Sequence, residues 1–224
     1  MAEKKVSLME LDSNPNIGLY MFVNDKFCLL GENVIDSKKK EIEKVLGVPV
    51  YNVTVLGTGL VGVFISGNNE NLVIPSIYDY EKKELEKIAK KHEVRILEFD
   101  EKLNTFGNGI CFTDDLIILN SDYSENFLNK LEKSTKLKIS LLKNKELNSA
   151  GGVCRYLNGK LYLSQNLDEK DFKKFVDKVA GVGTVNSGSL FISSGIVGNS
   201  NGLLIGSASS TVEIQNIVEA LDYL

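Results

Sequence analysis

No apolar run in this chain approaches the length needed to cross a bilayer; Leu60 to Ile65, for example, is far too short. The N-terminal stretch MAEKKVSLMEL has neither an apolar h-region nor a small-residue cleavage site, so a signal peptide is not expected and a cytoplasmic protein is. Cysteine is scarce: three residues at unrelated spacings make neither a disulfide framework nor a CxxC pair. Histidine occurs once, as His92, with no cysteine or carboxylate at ligand spacing, so no metal site is expected. Basic charge is not in excess either. The 26 basic and 30 acidic residues give a formal charge of −4, which argues against a protein that works mainly by neutralising phosphates. What is present is an ordinary globular composition, 43% apolar and 25% charged, which excludes disorder, collagen-like sequence and a coiled coil.

The chain repeats five times. IGLYMFVNDKFCLLG (17–31), VGVFISGNNENLVIP (61–75), GICFTDDLIILN (109–120), GVCRYLNGKLYLS (152–164) and GIVGNSNGLLIGS (195–207) each join two apolar strands through a tight polar turn. That pattern predicts a β-hairpin. Glycines at 18, 62, 109, 152 and 195 mark the repeats, at intervals of 44, 47, 43 and 43 residues. Each hairpin leads into an amphipathic segment, at 36–47, 80–92, 124–136, 168–181 and 210–224, whose apolar positions recur at helical spacing. Further strands are expected at 51–56, 94–99, 137–142 and 182–187. The fifth repeat reaches Leu224 without a third strand, while residues 6–11 form a strand with no repeat of their own. Placing 6–11 in the fifth repeat closes a ring, with Val6, Leu8 and Leu11 buried. A four-stranded propeller without helices and a helical solenoid without strands both fail to fit the element order.

Period and element order resemble the pentein superfamily. The resemblance implies an α/β fold, a five-bladed α/β propeller with pseudo-fivefold symmetry. It makes 1–224 a single domain with repeats at about 14–57, 58–103, 104–147, 148–191 and 192–224, the ring closed by the N-terminal strand. NPNIGLYMFVNDKFCLLG, NNENLVIP with the helix carrying Glu84 and Leu85, DEKLNTFGNGICFTDD, and VAGVGTVNSGS leading into GLLIGSASSTVEIQNIVEAL resemble the archaeal translation initiation factor six family. GTVNSGS (183–189) and LNTFGNG (103–109) are the most specific of these stretches.

Several features look like chemistry. Gly57 to Gly62 spells GxGxxG after the strand YNVTVL, but a dinucleotide fingerprint needs a helix to open there. Val63, Phe64 and Ile65 read as strand formers, so nucleotide binding is not expected. Cys111 and Cys154 align with Tyr20, Phe64 and Val197, and Cys28 lies between Phe27 and Leu29, which makes all three packing residues. His92 reads as a solvated helix end. Lysines at 38–40, 82–83, 90–91 and 173–174 interleave with acids as solvated faces, which leaves room for a partial electrostatic role toward RNA. Pentein enzymes that modify guanidino groups use a late cysteine, a histidine and carboxylates; here no cysteine follows Cys154 and the one histidine sits on an outer helix. That makes an enzyme the weaker alternative, and a repeat scaffold for another protein partner a third.

The loops between repeats, SNPN (13–16), GTG (57–59), LNTFGN (103–108), LNSAGG (147–152) and NSGS (186–189), are small and polar. Tight turns explain part of this; a flat docking surface explains the rest. Phe106 is either a plug for the axis or an interface anchor. The family resemblance implies steric exclusion without chemistry or cofactor. On that resemblance the chain is expected to bind the large ribosomal subunit, mainly protein uL14 with an L24-type protein and the sarcin–ricin loop of rRNA nearby, and to keep the small subunit away. It also implies roles in translation initiation and ribosome biogenesis, for a chain expected to be monomeric and free of membranes. The expected interface is Asn104, Thr105, Phe106, Asn108, Asn148 and Ser149, with Asn186 and Ser187 at its edge. Eukaryotic members carry an arginine where this chain has Val63, so the contact made by that arginine is not carried over.

Overall fold

The computed structural model describes residues 5–224 apart from Asn33 and Lys145, and only the backbone of Lys174. The first four residues of the N-terminal stretch and the side chain of Lys174 in the 173–174 cluster therefore lie outside the described residues. After strand β1 (Lys5–Met9), the first unit runs through a 3-10 turn (Ile17–Leu19), β2 (Met21–Val23), β3 (Cys28–Gly31), helix α1 (Asp36–Leu46) and β4 (Val50–Val53). The second comprises α2 (Val61–Phe64), β5 (Ser66–Gly67), β6 (Asn71–Pro75), α3 (Asp79–Lys91) and β7 (Arg95–Phe99). The third comprises α4 (Phe106–Gly109), β8 (Ile110–Phe112), β9 (Leu116–Asn120), α5 (Glu125–Thr135) and β10 (Lys138–Leu142). In the fourth, α6 (Ala150–Val153), β11 (Cys154–Leu157) and β12 (Lys160–Ser164) lead through α7 (Glu169–Phe172) and a 3-10 segment (Lys173–Lys178) to β13 (Val179–Gly183). The fifth holds α8 (Ile192–Gly195), β14 (Ile196–Asn199), β15 (Gly202–Gly206) and α9 (Thr211–Ala220).

Five three-stranded sheets result, and in each the second hairpin strand lies in the middle. Asn158 and Gly159 turn one hairpin with φ of 53° and 76°, the left-handed pair of a type I′ turn. Elsewhere a side-chain oxygen shapes the turn: Asn24, Asn68 and Asn199 each accept two backbone N–H groups just downstream. The third strand runs parallel to the middle one, and a helix makes the crossover. Those helices exist because one face is apolar: Ile42, Val45 and Leu46 on α1, Leu85, Ile88 and Ala89 on α3, and Phe127 and Leu131 on α5 are buried.

β1 pairs in parallel with β15, from Lys5 opposite Gly202 to Met9 opposite Gly206, and so occupies the place of a third strand in the fifth sheet. The expected burial is corrected. Met9 and Leu11 are buried, but Val6 and Leu8 are 39% and 47% exposed. Successive strand residues face opposite ways. Ser7 meets Glu41 of α1, so Ser7 and Met9 share the covered face and Val6 and Leu8 the open one.

Two further expectations are corrected. The fourth helix ends early, with Phe175 off helical dihedrals (φ −139°, ψ 26°), and β13 starts at Val179 rather than 182. The Tyr162 side chain lies over this strand: a Cβ on Gly183 would stand 2.1 Å from the Tyr162 hydroxyl oxygen, so the glycine-containing stretch VAGVG is seated beside β12. Each hairpin is also preceded by a single helical turn rather than by more strand, and Val61–Phe64 is one of these. The repeat position is accordingly Gly18, Gly62, Gly107, Gly151 and Ser193, the second residue of each turn, not Gly109, Gly152 or Gly195.

Candidate functional site

The five single turns come together around one axis, because their second residues are almost bare backbone. A Cβ on Gly107 would stand 1.9 Å from the Gly62 carbonyl oxygen, and one on Gly151 would stand 2.1 Å from that of Gly107. Ser193 is the one member with a side chain, and its hydroxyl donates to the Cys154 carbonyl at 2.9 Å. Contact also passes from the fifth unit to the first: Ser194 donates to Asn16, and Asn199 to the Asn24 carbonyl. Glycines of the GxGxxG stretch are explained in the same way. Gly62 abuts the first unit, Gly57 supplies a φ of +73° to a turn, and Gly59 backs onto Gly31. The helix that follows, α2, is a single turn.

Around the axis lies a cavity of about 500 Å³, lined from all five units by residues such as Phe22, Ser66, Cys111, Arg155 and Ser193. A second hollow of about 190 Å³, walled by the hairpin turns, shares Val23, Gly67, Phe112, Tyr156 and Leu157 with it. The opposite mouth is formed by the loops between units, where Asn16, Asn108, Ser149 and Ser194 line the wall.

Those loops are held by buried acids that sequence patterning does not single out. Glu81 is buried on α3 and accepts the backbone N–H groups of Leu56 and Gly57, whose φ values are positive. Glu213 does the same on α9 for Ser187 and Gly188, and also takes the Thr184 hydroxyl and the Ser210 N–H. Burial alone would raise its pKa, but these donors outweigh burial and hold Glu213 down to about 2. The sequence signal was the capping-box spacing from Ser210 to Glu213.

Against this geometry the expected interface divides. Asn104, Thr105, Asn108, Asn148 and Ser149 are partly exposed, and Ser187 is exposed. Ser149 donates to the Asn108 carbonyl at 2.9 Å, which ties two of them together across units. Asn148 is bonded to Asp122. Asn186 reaches the first unit, donating to the Pro15 carbonyl at 3.0 Å. Phe106 is corrected: it is 0% exposed, stacked on Phe127 at 5.3 Å and packed with Tyr123 beneath the loop. It cannot touch a partner as the chain stands. Its role is core, because a four-residue helical turn points its first side chain inward.

The cysteines are free and buried, and burial pushes each thiol up, Cys111 to about 12. Their alignment shifts with the repeat position: Cys111 shares its place with Phe22, Ser66, Arg155 and Val197, and Cys154 with Met21, Ile65, Ile110 and Ile196. His92 is not merely solvated; its Nε2 lies 2.9 Å from the Tyr51 hydroxyl and its ring 5.2 Å from that of Phe27. Burial, with Lys91 and Lys26 nearby, lowers its pKa. Sequence patterning missed Arg155, because only the structural repeat position sets its charge in a column with Phe22, Ser66, Cys111 and Val197. Among the described residues no group of three or more His, Cys, Asp or Glu could hold a metal, and no helix is long and apolar enough to cross a membrane.

Translation initiation factor 6 of Sulfolobus acidocaldarius is 31% identical to this chain, over 96% of the chain and 97% of that protein. The factor of the same name from Thermococcus onnurineus is 26% identical, over 98% and 99%. Among solved structures, the N-terminal domain of the cyanobacterial arginine dihydrolase ArgZ superposes with a TM-score of 0.54 at 14% identity, covering 83% of this chain and 75% of that one. At such identity the likeness concerns the fold alone, and with the five three-stranded sheets it makes this a pentein fold. The sequence profile of the eIF-6 family matches residues 6–220, and the chain belongs to that family.

Proposed function

We propose that this protein is a cytoplasmic translation initiation factor. It binds the large (50S) ribosomal subunit and sterically prevents its association with the small one, both in initiation and during subunit biogenesis. The observation that carries this reading is the eIF-6 family match across residues 6–220. The docking face is the ring of loops between units, with Asn104, Thr105, Asn108, Asn148, Ser149, Asn186 and Ser187, and with Phe106 supporting it from below. Protein uL14 is the main partner, beside an L24-type protein and the sarcin–ricin loop. A chain of net charge −4 suits a basic protein partner, and few counterions would be released on binding. No catalysis is required: the three thiols are buried and protonated, and His92 packs on an outer helix against Tyr51. Sedimentation with purified subunits tests the reading. Co-migration with large but not small subunits, falling only gently with salt, is the expected result. Absence of binding, or binding to small subunits, would overturn it, and a steep salt slope would move the contact to rRNA and the helix lysines.

A further inference from the structure

Docking on the loop face makes no use of Arg155. This residue is the one charged member of a ring otherwise built from Phe22, Ser66, Cys111 and Val197, and it lines the axial cavity. Its Nε is buried without a hydrogen-bond partner, and no described carboxylate forms an ion pair with it. The ionisable groups that bear on the guanidinium are Cys111 and Tyr223, and burial keeps both protonated and neutral. The neighbouring Tyr156 hydroxyl is committed to Asp114 at 2.6 Å. A guanidinium with its Nε buried and no counter-charge opposes folding, and an apolar side chain there would serve the propeller as well, as it does in the units that carry Phe22 and Val197.

The cavity around it is of ligand size, about 500 Å³. Its wall also carries Asn108, whose side-chain amide makes no hydrogen bond to a described residue. The guanidinium fork matches a planar carboxylate or one edge of a phosphate, which accept two parallel N–H bonds. We propose that the axial cavity is a binding site for a small oxyanion-bearing molecule, whose carboxylate or phosphate group is held by Arg155. The site is centred on Arg155, which docking does not use, although its mouth shares Asn108 and Ser149 with the docking face.

The test uses inorganic phosphate and succinate, each titrated into the full chain against sodium chloride at equal ionic strength. The Nε–H resonance of Arg155 and the thermal midpoint are followed. The only other arginine, Arg95, is bonded to Asn71 at 2.6 Å and serves as an internal control. A saturable displacement of the Arg155 signal with Arg95 unmoved is expected, together with a rise in midpoint that Arg155→Met lacks. The affinity in that variant is expected to fall by about tenfold or more. Response to phosphate alone assigns a phosphate-bearing ligand, response to succinate alone a carboxylate, and response to both a general oxyanion site. An Arg155 signal that does not saturate, an equal displacement of Arg95, or an equal midpoint rise in Arg155→Met would overturn the proposal. If Arg155→Met does not fold, the resonance titration of the unaltered chain decides.

Discussion

A Cβ on Gly62 would stand 1.8 Å from the carbonyl oxygen of Gly18. The obstacle is backbone, not the end of a flexible side chain, so neither partner can give way cheaply. Gly62→Ala should therefore destabilise the propeller by about 1–3 kcal/mol or more. Ser193→Gly, at the equivalent place, removes one hydroxyl bond to Cys154 and should cost only about 1 kcal/mol. Urea unfolding of both variants checks the contrast. Gly62→Ala as stable as the unaltered chain would contradict the packing described.

Glu213 makes stability depend on acid. Its folded pKa of about 2 lies below its ordinary 4.5, so the stabilisation by its charge is complete above pH 4.5 and is lost as pH falls through about 2. Glu213→Gln should cost about 1–3 kcal/mol at neutral pH, because the Ser187 and Gly188 N–H groups and the Thr184 hydroxyl lose their charged acceptor. The gap between variant and unaltered chain should be constant above pH 4.5 and should narrow below it. Denaturation at a series of pH values measures this gap directly, and a gap that widens with acid would refute the assignment.

The two most conspicuous residues of the 103–108 loop should separate function from folding. Asn108→Ser should weaken large-subunit binding by about 1–3 kcal/mol, roughly five- to 150-fold, at unchanged stability. Phe106→Ala should instead lose about 3–5 kcal/mol of stability, since its buried ring stacks on Phe127 and packs against Tyr123. Binding titrations paired with melting curves distinguish the two. A stable Phe106→Ala chain that no longer binds would return Phe106 to the interface.

Deleting residues 1–12 removes the strand that lies along β15 and uncovers the backbone edge of that sheet. Aggregation or a marked fall in heat resistance is expected. Met9→Ala should cost about 2–5 kcal/mol, because Met9 is 1% exposed, whereas Leu8→Ser should cost little. Light scattering and melting of the purified variants provide the measurement; a monomeric deletion variant melting with the full chain would rule out this role for β1.

The five-unit architecture was legible because each hairpin is an apolar–polar–apolar block and each long helix has a full apolar face. The single turns before the hairpins were not, since four residues carry no helical period and Val61 to Phe64 consists of residues that equally suit a strand. That ambiguity displaced the repeat position from Gly107 to Gly109. The seating of β13 was hidden for a different reason: the Tyr162 side chain lying over Gly183 is a tertiary contact. Burial of Phe106, openness of Leu8 and the loop-holding role of Glu213 likewise depend on neighbours from other units. The candidate docking loops were readable by composition, but which side chains within them are free was not.

The central claim is that a bound factor keeps the subunits apart by occupying the surface where they meet. The most direct measurement is the rate and extent of joining of purified large and small subunits, followed by light scattering as this protein is added. Joining should be suppressed progressively and reach completion near equal molar amounts of factor and large subunit. Subunits that join at an unchanged rate while the large subunit is saturated with the protein would contradict it.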